Sequence, residues 1–457
     1  MARACFPGFD LVKAMSGVSP ARSIAYGLLK AIEKGKGHSD DLLRGKNVSV
    51  LSEADRHLAT ALVLGVLRWQ IDLDRRVRPL LTHPNAKVDA EVLIALRLGA
   101  FQLLHMDRIP VHAAIDESVE LAKRAGHRFA SGMVNAVLRK IAVSRTQGEA
   151  EDWRRGFPEW MVARWTATYG EEAAGAICRH GQSEPKPTVR VDSPGTRQDL
   201  ALAGIVSEQG WILNSAFRVT SGSIAANSAF RDGRVRFQDE GSQLVAELVP
   251  RGNTILDCCA APGGKTLILA ERNPDARIVA CESSPQRLAQ LRERLEVFGD
   301  RVDCRLADVT ALEEAAQYDV VLADVPCSGT GTLGRNPEIR HRLQQSDLER
   351  QAERQGGILR AALRAAKPGG FVVYSTCSLE PEENEEVVAA ALAENSNARL
   401  VLLRARIEQL RSEGVLSASG ADNLLMATTR EGSLRLLPGM FESDGFFVAM
   451  IEKNREF

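Results

Sequence analysis

The chain has 457 residues, room for about three domains at roughly 150 residues each, which excludes a single compact domain as the starting expectation. Hydrophobic residues make up 44% and charged residues 26%, with 37 Gly and 18 Pro; this balance excludes disordered, collagen-like and coiled-coil chains. The net charge of -1 hides an asymmetry, because residues 1–150 carry 22 Lys and Arg against 15 Asp and Glu, a charge of +7, and the remainder carries -8. An anionic partner therefore meets the N-terminal part first.

Apolar runs such as Ala61 to Leu67 and Val387 to Ala393 fall far short of the ~18 residues of a membrane span. Met1 to Gly17 contains Arg3, Asp10 and Lys13 and lacks the apolar core of a secretory signal, so a cytoplasmic protein is expected. The eight Cys (5, 178, 258, 259, 281, 304, 327 and 377) form no C-x-x-C pair, and the eight His are scattered. Free or reactive thiols are expected, with no disulfide framework and no metal.

From Pro20 to Ile141 apolar residues recur three and four apart, as in Ala21, Ile24, Ala25, Leu28, Leu29 and Ile32. Further runs at Asp55 to Trp69, Ala90 to His105, Ala113 to Arg124 and Ser131 to Ile141 predict five or more amphipathic helices in an all-α domain over residues 20–146, after an N-terminal tail of residues 1–19. Lys123, Arg124, His127, Arg128, Arg139, Lys140 and Arg145 form a basic cluster that suits either a phosphate backbone or a solvated helix face. Gln147 to Arg155 is polar and marks a boundary. Linker helices and a small α/β subdomain are expected over 147–240, with strands at Thr188 to Val191 and Trp211 to Leu213 and a helix near Arg197 to Ser207.

Residues 241–457 alternate short apolar runs with helix-length segments. The runs are Thr254 to Cys258, Ile278 to Glu282, Asp303 to Leu306, Asp319 to Val325 and Gly370 to Ser375, the rhythm of a doubly wound, Rossmann-like parallel sheet. Ligands in such sheets sit beyond the carboxyl ends of the strands. After the first run comes Asp257-Cys258-Cys259-Ala260-Ala261-Pro262-Gly263-Gly264-Lys265-Thr266, a nucleotide-type loop at a helix start. A Walker A loop would need Gly at 259, where Cys stands. Glu282 ends the second run, placed to accept ribose hydroxyls. Asp308 follows the third, suited to an adenine amino group or to capping a helix.

Two motifs place a Cys just past a buried strand: Asp324-Val325-Pro326-Cys327-Ser328-Gly329-Thr330-Gly331 and Tyr374-Ser375-Thr376-Cys377-Ser378-Leu379. A polar, partly exposed strand end favours a thiolate. Alkylating the C5 carbon of a pyrimidine requires a thiolate to add at C6 first, and a base to remove the C5 proton afterwards.

These motifs resemble those of the RNA cytosine-5 methyltransferases, specifically the bacterial small-subunit rRNA enzymes of the Sun/Fmu type. Pro20 to Arg145 resembles the helical RNA-binding domain of the antitermination factor NusB, including Leu96-Arg97-Leu98-Gly99-Ala100 and Val134-Asn135-Ala136-Val137-Leu138-Arg139. Gln238-Asp239-Glu240-Gly241-Ser242-Gln243 agrees too, as do Arg435 to Gly439 and Asp444 to Ala449, which read as a closing hairpin. Glu282 departs from the Asp of many relatives, and the extra residues before Pro20 depart from the usual start.

The resemblance implies S-adenosylmethionine held by Cys259, Ala260, Ala261, Pro262, Gly263, Gly264 and Lys265, with Glu282 at its ribose, Asp308 at its adenine and Asp324 between cofactor and cytosine. It implies Cys377 as nucleophile and Cys327 as the thiol that assists breakdown of the adduct. The implied substrate is a cytosine of 16S rRNA or a small-subunit precursor, in a hairpin loop or junction from which the base flips out, and the implied enzyme is a monomer. The same chemistry on tRNA, and a binding-only antitermination or assembly factor, are the alternatives. Basic residues of Leu333 to Arg342 suit either phosphates flanking the target base or a solvated helix start.

Overall fold

The structure, a computed structural model, describes residues 17–81, 87–144 and 152–455. Cys5, Arg145, residues 147–151 of the expected boundary and the tail up to residue 16 lie outside the described residues. The chain divides into two compact units. Residues up to Gln182 together with Leu333–Arg342 make the first, and Ser183–Thr332 with the chain from Leu343 onward make the second.

The first unit is helical. Helices Pro20–Glu33, Glu53–Val77, Ala90–His105, Val111–Arg124 and Ser131–Ser144 present their apolar faces to one core, which includes Leu29, Leu62, Val66, Leu96, Leu98, Leu138 and Ile141. Local signals set the starts: Pro20 opens the first helix, and the Ser52 side chain accepts the Asp55 N–H at the start of the second. Arg97 is buried inside this core and donates to both oxygens of Asp74 at 2.8 and 2.7 Å, so its charge is paired rather than offered to a ligand. Of the basic cluster, Lys123, Arg128, Arg139 and Lys140 are exposed, and Glu120 pairs with both Arg124 at 3.1 Å and Lys123 at 3.5 Å.

The segment 147–240 divides at Gln182 and Ser183. Helices Glu159–Tyr169 and Glu171–Gln182 belong to the first unit and bury Met161, Trp165, Ile177 and Cys178. Leu333–Arg342 also belongs to this unit, and this corrects its expected role. Arg340 is 1% exposed and donates to the carbonyls of Arg68, Gly156, Gly181 and Leu333 at 2.9 to 3.2 Å. It also lies over the Phe157 ring. His341 bonds the Leu67 carbonyl, and Arg342 donates to the carbonyls of Ile32 and Gly37. The Arg340 and Arg342 guanidinium groups are thus spent on backbone acceptors, and burial lowers His341 to about 4, so these three side chains are not offered to phosphates.

The second unit contains two sheets. The smaller joins β1 (Thr188–Val191), β2 (Val206–Gln209), β3 (Ala216–Ser221) and β4 (Val235–Phe237) in the antiparallel order β2-β3-β1-β4, with helix Pro194–Leu202 beside it. The expected helix ends at Leu202, and residues 206–209 are strand. The expected strand at Trp211 to Leu213 is absent, because the buried Glu240 carboxylate takes the N–H groups of Trp211, Ile212 and Leu213 at 2.8 to 3.0 Å. Those donors are no longer free for a ladder.

The larger sheet comprises β5 (Thr254–Asp257), β6 (Arg277–Glu282), β7 (Val302–Leu306), β8 (Tyr318–Asp324), β9 (Ala366–Thr376), β10 (Ala398–Val401), β11 (Leu434–Leu436) and β12 (Phe446–Lys453). Its order is β10-β12-β9-β8-β5-β6-β7, with β11 paired to β12. Strands β5 to β9 are parallel. β12 lies between β10 and β9 and runs antiparallel to both, and β11 pairs antiparallel with β12, so the sheet is mixed. Apolar cores lie on both faces, which is why the parallel strands read as nearly unbroken apolar runs. The chain leaves β5 toward β6 in one direction and returns at β8 on the other side, so the strand order reverses between Asp257 and Asp324. That reversal is where an open α/β sheet forms a binding crevice.

Candidate active site

β5 delivers Asp257 to the crevice floor, where it is 1% exposed and its Oδ2 accepts the Thr266 hydroxyl at 2.7 Å. Burial pushes its carboxyl up to about 6. The chain then turns through Cys258 to Gly263 into helix Gly264–Arg272. Gly263 has φ +99°, and a Cβ there would come within 3.0 Å of Leu291, so only glycine lets the turn lie this close to the neighbouring helix.

Glu282 ends β6, buried, its Oε1 accepting the Ser284 N–H at 2.8 Å while Arg287 lies 3.6 Å from its other oxygen. Asp308 follows β7 and caps the next turn, accepting the Thr310 hydroxyl at 2.7 Å and N–H at 3.0 Å. Those bonds hold its carboxyl below the usual range. The capping alternative is thus realised, and the side chain still borders the crevice.

Cys259, Ala261, Glu282, Asp308, Asp324 and Ile358 are among the walls of a cavity of about 240 Å³, which Val309 and Val325 also line. Ala260, Pro262, Gly263, Gly264 and Lys265 shape the turn but are not among those walls. Three carboxylates stand beside apolar side chains and the guanidinium groups of Arg287 and Arg354, a mixed lining that suits a ligand carrying hydroxyl and amine donors, a positive charge and a flat ring. The donor set therefore fits an adenosyl sulfonium. A larger hollow of about 900 Å³ lies along β7 and is lined by none of these groups.

β8 and β9 place their carboxyl ends side by side, Asp324 opposite Ser375. Asp324 accepts the Ser375 hydroxyl at 2.7 Å and pairs with Lys265 Nζ at 2.7 Å. Burial works to strip the Lys265 proton, but the Asp324 charge and hydrogen bond outweigh it and hold the ammonium above its ordinary range. Just past the two strands, Cys327 Sγ and Cys377 Sγ stand 3.4 Å apart. The hydrogen bond to Cys377, then burial, push the Cys327 thiol well up, contrary to the expectation of a lowered pKa at this strand end. Gly331 permits the approach: its N–H donates to the Cys377 carbonyl at 2.8 Å, and a Cβ would meet the Gly445 carbonyl at 2.5 Å.

Sequence reasoning passed over Asp257, Ser375 and Glu383. Glu383 stands in the acidic stretch Pro381 to Glu386, which reads as solvated, yet it is fully buried beneath the two thiols' loops. Among the described residues no group of three His, Cys, Asp or Glu could hold a metal ion, and no helix is long and apolar enough to cross a membrane.

Residues 246–452 match the family model described as 16S rRNA methyltransferase RsmB/F, and residues 19–143 match that of the NusB family. A probable ribosomal RNA small subunit methyltransferase B of Bacillus subtilis is 35% identical over 95% of this chain and 98% of its own length. The ribosomal RNA small subunit methyltransferase B of Pseudomonas putida is 33% identical over 81% of this chain and 88% of its own. Among solved structures, PH0851 shares the fold over 96% of this chain and all of its own, with a TM-score of 0.75 at 22% identity. A methyltransferase homologue protein from Pyrococcus horikoshii covers 65% of this chain and 96% of its own, with a TM-score of 0.53 at 28% identity. By these matches, which run over both its helical N-terminal part and its α/β sheet, the chain belongs to the ribosomal RNA small subunit methyltransferase B family and is an S-adenosylmethionine-dependent RNA methyltransferase.

Proposed function

We propose that this enzyme methylates C5 of a cytosine in 16S rRNA through a covalent adduct between Cys377 and C6 of the base. The carrying observation is the pair of sulfurs 3.4 Å apart at the ends of adjacent parallel strands. One thiol suffices for a structural role in a crevice, whereas adduct chemistry on a pyrimidine needs one group to add and another to help release.

In this reading Cys259 to Lys265, Glu282 and Asp308 hold S-adenosylmethionine, which when bound supplies an electrophilic methyl group. Cys377, as thiolate, forms a bond to C6 and pushes electron density onto C5. Asp324, steadied by Lys265 and Ser375, meets the cytosine edge as charge develops there, an electrostatic role of the kind that dominates many catalysed reactions. After C5 has accepted the methyl group, a base takes the C5 proton, the C6–S bond breaks and Cys377 leaves as thiolate. Cys327, 3.4 Å from Cys377 Sγ, assists that release.

The exposed Lys123, Arg128, Arg139 and Lys140 of the helical unit suit an RNA backbone. The test is transfer of labelled methyl from S-adenosylmethionine to unmodified small-subunit rRNA and, separately, to tRNA, with the product identified by nucleoside mass. The reading predicts 5-methylcytidine in the rRNA. Label in tRNA overturns the substrate, another methylated nucleoside overturns the chemistry, and transfer to neither RNA favours a binding-only protein.

A further inference from the structure

The residues immediately after the two thiols, Ser328 and Ser378, both donate their hydroxyls to one carboxylate oxygen, Glu383 Oε2. The other oxygen accepts the Ser328 N–H at 2.8 Å and Gln355 Nε2 at 2.8 Å. Gln355 Nε2 also reaches the carbonyl of Pro326, the residue before Cys327, at 3.0 Å. On the other strand, Asn384 Nδ2 donates to the Ser378 carbonyl at 3.0 Å, and the Tyr374 hydroxyl bonds the Glu383 carbonyl at 2.5 Å. Glu383 has no exposed surface. A carboxylate so placed is tolerable only because donors converge on it, and all of them come from the two cysteine loops or the helix behind them.

We propose that Glu383 is a positioning residue that ties the Cys327 loop to the Cys377 loop and sets the separation of the two thiols, so that addition and release act on one base. This rests on the function proposed above. Direct bonds between the loops remain without the tie, among them Gly331 N–H to the Cys377 carbonyl and Leu379 N–H to the Thr330 hydroxyl, but Glu383 is the one group on which Ser328, Ser378 and Gln355 converge, and a displacement on the order of 1 Å at reacting atoms can cost about 100-fold in rate. The Glu383 charge also adds to the forces that keep the Cys327 thiol protonated, behind the Cys377 hydrogen bond and burial.

The experiment compares the full-length wild type, Glu383→Gln and Ser328→Ala by two readouts. One is the rate at which the short dithiol reagent dibromobimane joins Cys327 to Cys377, read by peptide mass. The other is methyl transfer, resolved into kcat and the KM for S-adenosylmethionine. The Gln variant keeps the shape of the side chain but removes its charge and turns the acceptor facing the Ser328 and Ser378 hydroxyls into a donor. The expected result for Glu383→Gln is crosslinking slower by about tenfold or more and kcat lower by about 100-fold, with the KM for S-adenosylmethionine within about threefold. Ser328→Ala should show smaller losses in the same two readouts, and it carries the test if the Gln variant fails to fold. Crosslinking at the wild-type rate in both variants overturns the proposal, whatever happens to kcat. Crosslinking that depends on Glu383 in an enzyme that makes no 5-methylcytidine leaves the positioning role standing and removes the functional reading instead.

Discussion

Lys265 Nζ lies 2.7 Å from Asp324 Oδ2, and this pair joins the glycine turn after β5 to the carboxyl end of β8. The ammonium keeps its proton in a nearly closed site because Asp324 is there. Asp324→Asn removes that counter-charge and leaves burial unopposed, so the Lys265 pKa falls. Methyl transfer should drop by at least about 100-fold, and the residual rate should acquire a pH dependence from a titration moved to lower pH. A pH–rate profile of the variant checks both.

Glu282 offers a buried carboxylate to the cavity proposed for the cofactor, with the Ser284 N–H on its Oε1 and Arg287 3.6 Å from its other oxygen. A charged hydrogen bond to a ligand contributes about 1.5–3 kcal/mol, so Glu282→Ala should weaken S-adenosylmethionine binding by roughly 10- to 100-fold at little cost to the fold. Calorimetric titration of the cofactor measures this. An unchanged affinity would remove Glu282 from the site.

Arg340 tests the correction made by the fold. Its guanidinium is pushed down to about 9 by burial and is held by carbonyls of the first unit. Arg340→Met strands those acceptors and should cost about 3 kcal/mol or more in denaturant unfolding. Measured at low temperature, where the variant remains folded, the slope of log affinity for RNA against log salt should not change. A phosphate-gripping arginine would instead reduce that slope by about one.

Asp257 carries the clearest pH signature. Its folded-state carboxyl titrates at about 6 and the ordinary value is 3.8, so the native state holds a proton that the unfolded state has lost between those values. Stability from this group is therefore present below pH 3.8 and declines as the pH rises toward 6. Asp257→Asn abolishes that decline. Between pH 4 and 7 the variant should gain on the wild type by on the order of 3 kcal/mol, at 1.36 kcal/mol per pKa unit, as read from urea unfolding at each pH.

Much of the catalytic unit was legible because its strands are buried on both faces and end in unusual residues. Runs such as Asp319 to Val325 can be strands on composition alone, and Asp324, Cys327 and Cys377 stand where such sheets do chemistry. What misled was long-range. Trp211 to Leu213 has the composition of a strand, but Glu240, 27 to 29 residues away, claims its N–H groups. Arg340 looks like a surface cation until its acceptors are seen 159 to 272 residues distant. Glu383 hides in an acidic stretch, and nothing local announces that two serines from different strands will meet it.

The central claim is that Cys377 attacks and Cys327 releases. Wild type, Cys377→Ala and Cys327→Ala should each be incubated with S-adenosylmethionine and unmodified small-subunit rRNA, then run on a denaturing gel to separate free protein from protein joined to RNA. The account predicts a covalent complex that accumulates with Cys327→Ala and is absent with Cys377→Ala, together with loss of 5-methylcytidine formation in the latter. A complex that accumulates with Cys377→Ala, or methyl transfer that survives its loss, would contradict the assignment of the two thiols.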